Sequence, residues 1–287
     1  MPTDVKRQAC VAAMEAIARV GIDTERIAKY IESCQTEDGG FFFARIPPSG
    51  AADTCYAVKS LQLLRRKPVD PEAVIGWLRD AARGSLVANP KGVFFLVETG
   101  LVMGVPTTEL RRWADRLCGW SNAEGGFGAW RNVDVEASSE LDITYRATIT
   151  MLDLGIEFDY AGVRRFLFRF LNEDGGFGVN GFSTLASTFY AVHVLSRLGV
   201  SPQELYATVE WLCRREAMWD VPYLEHLYWL VSSLNVLGIA VGNRSRALDF
   251  ALDCQHHGGG FARARYGIAT LENTHYALEV LSVLEVI

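Results

Sequence analysis

A paired glycine followed by phenylalanine recurs four times, in CQTEDGGFFFA, WSNAEGGFGAW, LNEDGGFGVNG and CQHHGGGFARA. The pairs begin at Gly39, Gly125, Gly175 and Gly259, so successive pairs lie 86, 50 and 84 residues apart. Two of those gaps are close to twice a unit of 42 or 43 residues, which places a degenerate unit inside each: one near Gly84, one near Met218. Six units of roughly 40 to 50 residues mark a repeat architecture. Ahead of each pair runs an amphipathic helical pattern, as in TERIAKYIESCQ. After each pair a loop leads into a more apolar helix, as in DTCYAVKSLQLLRR and NTHYALEVLSVLEV. The first kind of helix buries one face, whereas the second is apolar around most of its circumference and belongs to an inner layer. Alternation of the strand type is nearly absent. Neither end carries the polar cap that an open solenoid needs, so the expectation is an all-α fold. It is a closed α/α toroid (an α6/α6 barrel) of six helical hairpins with Gly-Gly-Phe turns. A single domain spans residues 1–287, with residues 1–21 as an amphipathic helix packed on the ring. Glycine supplies the positive φ of each turn, and the phenylalanine anchors the loop.

Composition narrows the function. Apolar residues make up 49% and charged residues 22% of the 287, ample for a large core. A net charge of −6 argues against a nucleic-acid surface, which needs clustered Lys and Arg. The most apolar window, GVFFLVETGLVMGV, is broken by Glu98 and too short to span a bilayer. Six scattered cysteines without a CxxC pair read as reduced thiols of a cytoplasmic protein.

The inner helices can be registered on Tyr56, Tyr145, Tyr190, Tyr228 and Tyr276. The position before each tyrosine then holds Cys55, Thr144, Phe189, Leu227 and His275. Three positions before stand Asp53, Asp142, Ser187, Glu225 and Asn273. All of these face the mouth of the ring, and the tyrosines line its interior together with Phe94, Phe95, Phe189 and Trp229. In a closed ring Cys55 and His275 sit on adjacent helices at equal height.

The glycine repeat, read as Q-x-x-D/E-G-G-F before a buried helix, resembles the β subunits of protein prenyltransferases. It is similar also to the terpene-cyclase domains of the squalene–hopene cyclase type. The resemblance runs from about Ala28 to the end, and ADTCYAV resembles the D-x-C-Y motif whose Asp and Cys bind zinc in prenyltransferases. It implies an isoprenoid-handling transferase with a prenyl diphosphate or other apolar lipid in the aromatic cavity, a thiol acceptor, and a second subunit. Zinc would be held by Asp53, Cys55 and His275, and Asp53 is the residue whose chemistry the resemblance singles out. The family's diphosphate-binding Arg and Lys correspond here to Pro47 and Gly50, so Arg45, Arg263 and Arg265 take that part.

Two other readings stay open. Class II terpene cyclases protonate an alkene with an Asp at this loop–helix junction, and DVEASSELDITY offers Asp142 beside Asp134, Glu136 and Glu140, with Asp53 as the other candidate acid. The ring is alternatively a non-catalytic toroid that binds a lipid or a protein segment. Each site residue also has a plain structural role: Asp53 and Asp142 as helix caps, Cys55 as a small buried hydrophobe, and the aromatics as core.

Overall fold

The computed structural model describes residues 22–128 and 137–287, with the side chains of 137–140 excepted. The expected helix over residues 1–21, Asp134 and Glu136 lie outside the described residues. Within them are twelve α-helices, alternately outer and inner. The outer set is α1 (Thr24–Glu32), α3 (Pro71–Ala81), α5 (Thr107–Ala114), α7 (Tyr160–Phe168), α9 (Tyr206–Met218) and α11 (Arg244–Asp253). The inner set is α2 (Ala51–Leu63), α4 (Pro90–Val102), α6 (Ala137–Leu154), α8 (Leu185–Arg197), α10 (Leu224–Val236) and α12 (Leu271–Val283). Each inner helix packs on the next, and α12 packs back on α2. The ring is closed.

Local chemistry explains the starts of these helices. Asp23, Asp70, Asn89 and Asp159 cap α1, α3, α4 and α7 through side-chain acceptance of a backbone N–H. Thr184 and Thr270 do the same for α8 and α12. Asp53 is not a cap: α2 starts at Ala51 after Gly50, so Asp53 stands inside its first turn. Asp142 lies within α6, which starts at Ala137, and is not a cap either.

The glycine pairs do more than turn the chain. Gly39 has φ +92°, and a Cβ there would lie 2.4 Å from the carbonyl oxygen of Ala73 on the neighbouring α3. Gly259 has φ +104°, and its Cβ would lie 2.3 Å from the carbonyl oxygen of Arg26 on α1. The last hairpin thus meets the first as closely as consecutive hairpins meet, and only glycine fits either place. The phenylalanine that follows is buried in every repeat (Phe41, Phe127, Phe177 and Phe261). Its backbone N–H donates to a threonine of the inner helix: Phe41 to Thr54 at 2.9 Å, Phe127 to Thr144 at 2.9 Å, Phe177 to Thr188 at 3.0 Å, and Phe261 to Thr274 at 3.0 Å. This bond satisfies a buried donor and pins each loop to a fixed height on its helix.

The two degenerate units are real. Residues 82–89 join α3 to α4, and a short link with Trp219 at φ +56° joins α9 to α10. Two-stranded hairpins, β1 (Gly178–Val179) with β2 (Phe182–Ser183) and β3 (Phe261–Ala262) with β4 (Ala269–Thr270), decorate two loops. No helix among the described residues is long and apolar enough to cross a membrane.

Candidate functional site

The threonine bond sets the register of the ring, because it holds Thr54, Thr144, Thr188 and Thr274 at one height. In α2, α8 and α12 this is the fourth residue of the helix, and Val93 and Leu227 hold the fourth place in α4 and α10. The next residue in each inner helix forms one tier: Cys55, Phe94, Tyr145, Phe189, Tyr228 and His275. The residue after that forms a second: Tyr56, Phe95, Arg146, Tyr190, Trp229 and Tyr276. These two tiers, with Lys59 below them, line the axis of the ring.

This corrects the tyrosine-based register. Tyr145 and Tyr228 stand one position earlier than Tyr56, Tyr190 and Tyr276, level with Cys55 and His275. Thr144 and Leu227 belong with the buried threonines rather than with the lining. The place that tyrosine takes in three helices is held in α6 by Arg146, a residue missed when the helices were aligned on their aromatics. The signal that finds it is the threonine, not the tyrosine.

The aromatic rings form an unbroken circuit. Tyr56 meets Phe95 at 5.7 Å between centroids, Phe94 meets Tyr145 at 5.9 Å, and Tyr145 meets Tyr190 at 5.4 Å. Phe189 meets Tyr228 at 5.3 Å, Tyr228 stacks on Tyr276 at 4.4 Å, and Tyr276 meets Tyr56 at 5.7 Å. These distances are those of favourable aromatic pairs. They leave about 50 Å³ on the axis, room for a few waters or one small oxyanion. The wide hollow expected of such a ring is therefore mostly filled by its own aromatic side chains.

Charge sits above and below the aromatic tiers. Near the mouth, Asp142 accepts from Arg146 Nε at 2.7 Å and Glu225 accepts from Arg263 Nε at 2.9 and 3.0 Å. Glu272 accepts from the hydroxyls of Tyr56 and Tyr276 at 3.2 and 3.0 Å. Asp53, close to Glu272, has its carboxyl raised to about 6, first by burial and then by that neighbour's charge. A turn deeper, counted from the threonines, stand Lys59, Glu98, Ile149, His193, Ser232 and Glu279. Lys59 Nζ is 2.7 Å from Glu98 Oε2. Burial alone would lower the Lys59 ammonium, but its neighbours, Glu98 first, together outweigh it and the net shift is upward. Burial lowers His193 to about 4.

The proposed metal ligands do not converge. Cys55 packs with Phe94, Phe95 and Ile149 toward α4, and burial pushes its thiol up to about 12, away from the thiolate a metal needs. His275 packs against the Tyr56 ring at 5.4 Å, with Nε2 3.6 Å from Glu279 Oε1. Burial, then Lys59, hold His275 well below its usual range. Asp53 is absent from the lining of the axial space. Among the described residues no three His, Cys, Asp or Glu side chains are grouped to hold a metal ion. The donor set does not fit zinc.

The loop arginines have partners of their own. Arg45 donates from Nε to Ser33 at 3.2 Å and covers Tyr30. Arg263 is taken by Glu225 and lies 3.9 Å from the Tyr223 ring. Arg265 covers the exposed Tyr266. None of the three lines the axial space.

The family described as the prenyltransferase alpha-alpha toroid domain matches residues 1–85, 86–218 and 217–286. The chain belongs to this family. Among solved structures it is similar to Candida albicans protein geranylgeranyltransferase-I complexed with GGPP, at 16% identity and a TM-score of 0.72, covering 91% of each chain. That likeness is one of fold. No curated protein matches the chain.

Proposed function

We propose that this toroid is an isoprenoid-handling transferase that binds a prenyl diphosphate against its aromatic tiers. The observation that carries the reading is the unbroken circuit of rings around the axis, in a chain of the prenyltransferase toroid family. Aromatic faces suit both a prenyl chain, whose apolar surface they cover, and the positive charge that develops at its allylic carbon. In transfer, the bond from that carbon to the diphosphate oxygen breaks with its electron pair leaving on the diphosphate. The acceptor sulfur bonds to the carbon, and its proton passes to the departing diphosphate. A neighbour of the same fold is a protein geranylgeranyltransferase-I complexed with GGPP, which supports the ligand class.

Small-molecule sites span about 300–1,000 Å³, so entry of a prenyl chain requires lining side chains to swing outward. Trp229 lines the space and reports that movement. Titration with farnesyl or geranylgeranyl diphosphate is expected to change tryptophan fluorescence and to saturate. A flat response with both compounds removes the reading.

One observation favours acid-catalysed cyclisation instead. With its carboxyl raised to about 6, Asp53 holds a proton more readily near neutrality than a free aspartate. Asp142, the other candidate acid, is engaged by Arg146. Products decide between the routes: a cyclic product that keeps its diphosphate selects cyclisation, and thiol-dependent diphosphate release selects transfer. A prenyl ligand recovered unchanged with every thiol supplied selects a binding protein without chemistry.

A further inference from the structure

Arg146 is the one charged residue in the two tiers that ring the axis. Only 8% of it is exposed, and its guanidinium lies 5.0 and 4.8 Å from the Phe94 and Phe95 ring centroids. Its Nε is used by Asp142. Its two Nη groups make no hydrogen bond to the described residues and stay partly open to the axial space, and guanidinium offers five donors in a rigid fork. Tyr56, Tyr190 and Tyr145 lie near enough to act on its charge. Donors that open onto a small space lined mainly by aromatic rings, with no protein acceptor, suit an oxygen ligand.

The charges nearby are otherwise occupied. Glu272 is held by two tyrosines, Glu225 by Arg263 and Lys59 by Glu98. The space of about 50 Å³ beside Arg146 matches a compact group, not a hydrocarbon chain. The geometry points to an oxyanion site on the axis of the ring, with the Arg146 Nη fork as its anchor and a phosphate group as its ligand. In the isoprenoid reading, on which this partly rests, the phosphate is the head of the prenyl diphosphate. The head then docks inside the ring instead of on Arg45, Arg263 and Arg265. Free phosphate is the other source of the same chemistry.

Calorimetric titration of the whole chain with inorganic phosphate, inorganic diphosphate and geranylgeranyl diphosphate tests this. Wild type is expected to bind inorganic diphosphate, and Arg146→Gln to weaken it roughly tenfold to a hundredfold, the scale of hydrogen bonds to a charged group. Asp142→Asn removes the competing carboxylate and is expected to tighten binding. Because Arg146→Gln strands a half-buried carboxylate, the double variant Arg146→Gln/Asp142→Asn removes both charges at once, and its circular dichroism checks the fold. Absence of phosphate and diphosphate binding by wild type at millimolar concentration overturns the site. So does a loss that follows Arg263→Gln/Arg265→Gln while the Arg146 variants bind normally. Inorganic diphosphate bound through Arg146 without any binding of the prenyl compound leaves the site standing and removes the isoprenoid reading. Prenyl diphosphate bound equally by wild type and the double variant does the reverse.

Discussion

Asp53 shows how a residue's place, not its type, sets its chemistry. Near a helix start an Asp is expected to cap, but here it stands in the first turn, and burial and Glu272 raise its carboxyl to about 6. A raised pKa means that the folded state holds the proton more tightly than the unfolded chain does. Its contribution to stability is therefore complete below about pH 4 and is lost as pH rises through 6. Since the side chain is partly open to solvent, the screened effect is about 1 kcal/mol. Asp53→Asn is expected to match wild type in denaturant unfolding at pH 4 and to be more stable by about that amount at pH 8. Equal midpoints at both values would show that the Asp53 carboxyl titrates normally. Cys55 makes the same point in reverse. The ADTCYAV resemblance suggests a ligand, and burial among Phe94, Phe95 and Ile149 makes the thiol inert. Neither environment is written in the local sequence, because Cys55 packs on residues 39 to 94 positions away and Asp53 faces Glu272, 219 positions away.

At the scale of elements, the loop and the inner helix form one unit joined by the threonine bond. Thr144→Val keeps the shape but leaves the Phe127 N–H buried without an acceptor, and is expected to cost about 1–3 kcal/mol in equilibrium unfolding. Gly39→Ala is expected to cost at least as much, since it combines a positive φ with a Cβ 2.4 Å from the Ala73 carbonyl oxygen. If Gly39→Ala unfolds at the wild-type denaturant concentration, the close contact between neighbouring hairpins is not what selects glycine. The glycine pairs were readable as turns, and their contact with the next outer helix was not. A repeat tells which residues recur but is silent about what they touch.

For the whole molecule, closure is the property that separates this ring from an open array. Open repeat arrays can unfold from their ends unit by unit. Here the seam between the last and first hairpins carries Gly259 against Arg26 and Tyr276 hydroxyl 3.3 Å from Tyr56 hydroxyl. Tryptophan fluorescence and far-ultraviolet circular dichroism are expected to report one coincident transition in denaturant. Separate transitions would place the seam among the weak contacts.

Periodicity alone settled the architecture, because a glycine that must take positive φ and a fully apolar helix recur wherever a hairpin must turn and bury its inner face. The six units, the two degenerate ones included, and the all-α class follow from that. What occupies the axis was decided only by packing. Packing sets two helices one residue off their tyrosines, brings Arg146 to the axis and fills the centre with aromatic rings. One residue of register turns a helix by about 100°, and no pattern of residue types along the chain measures that rotation.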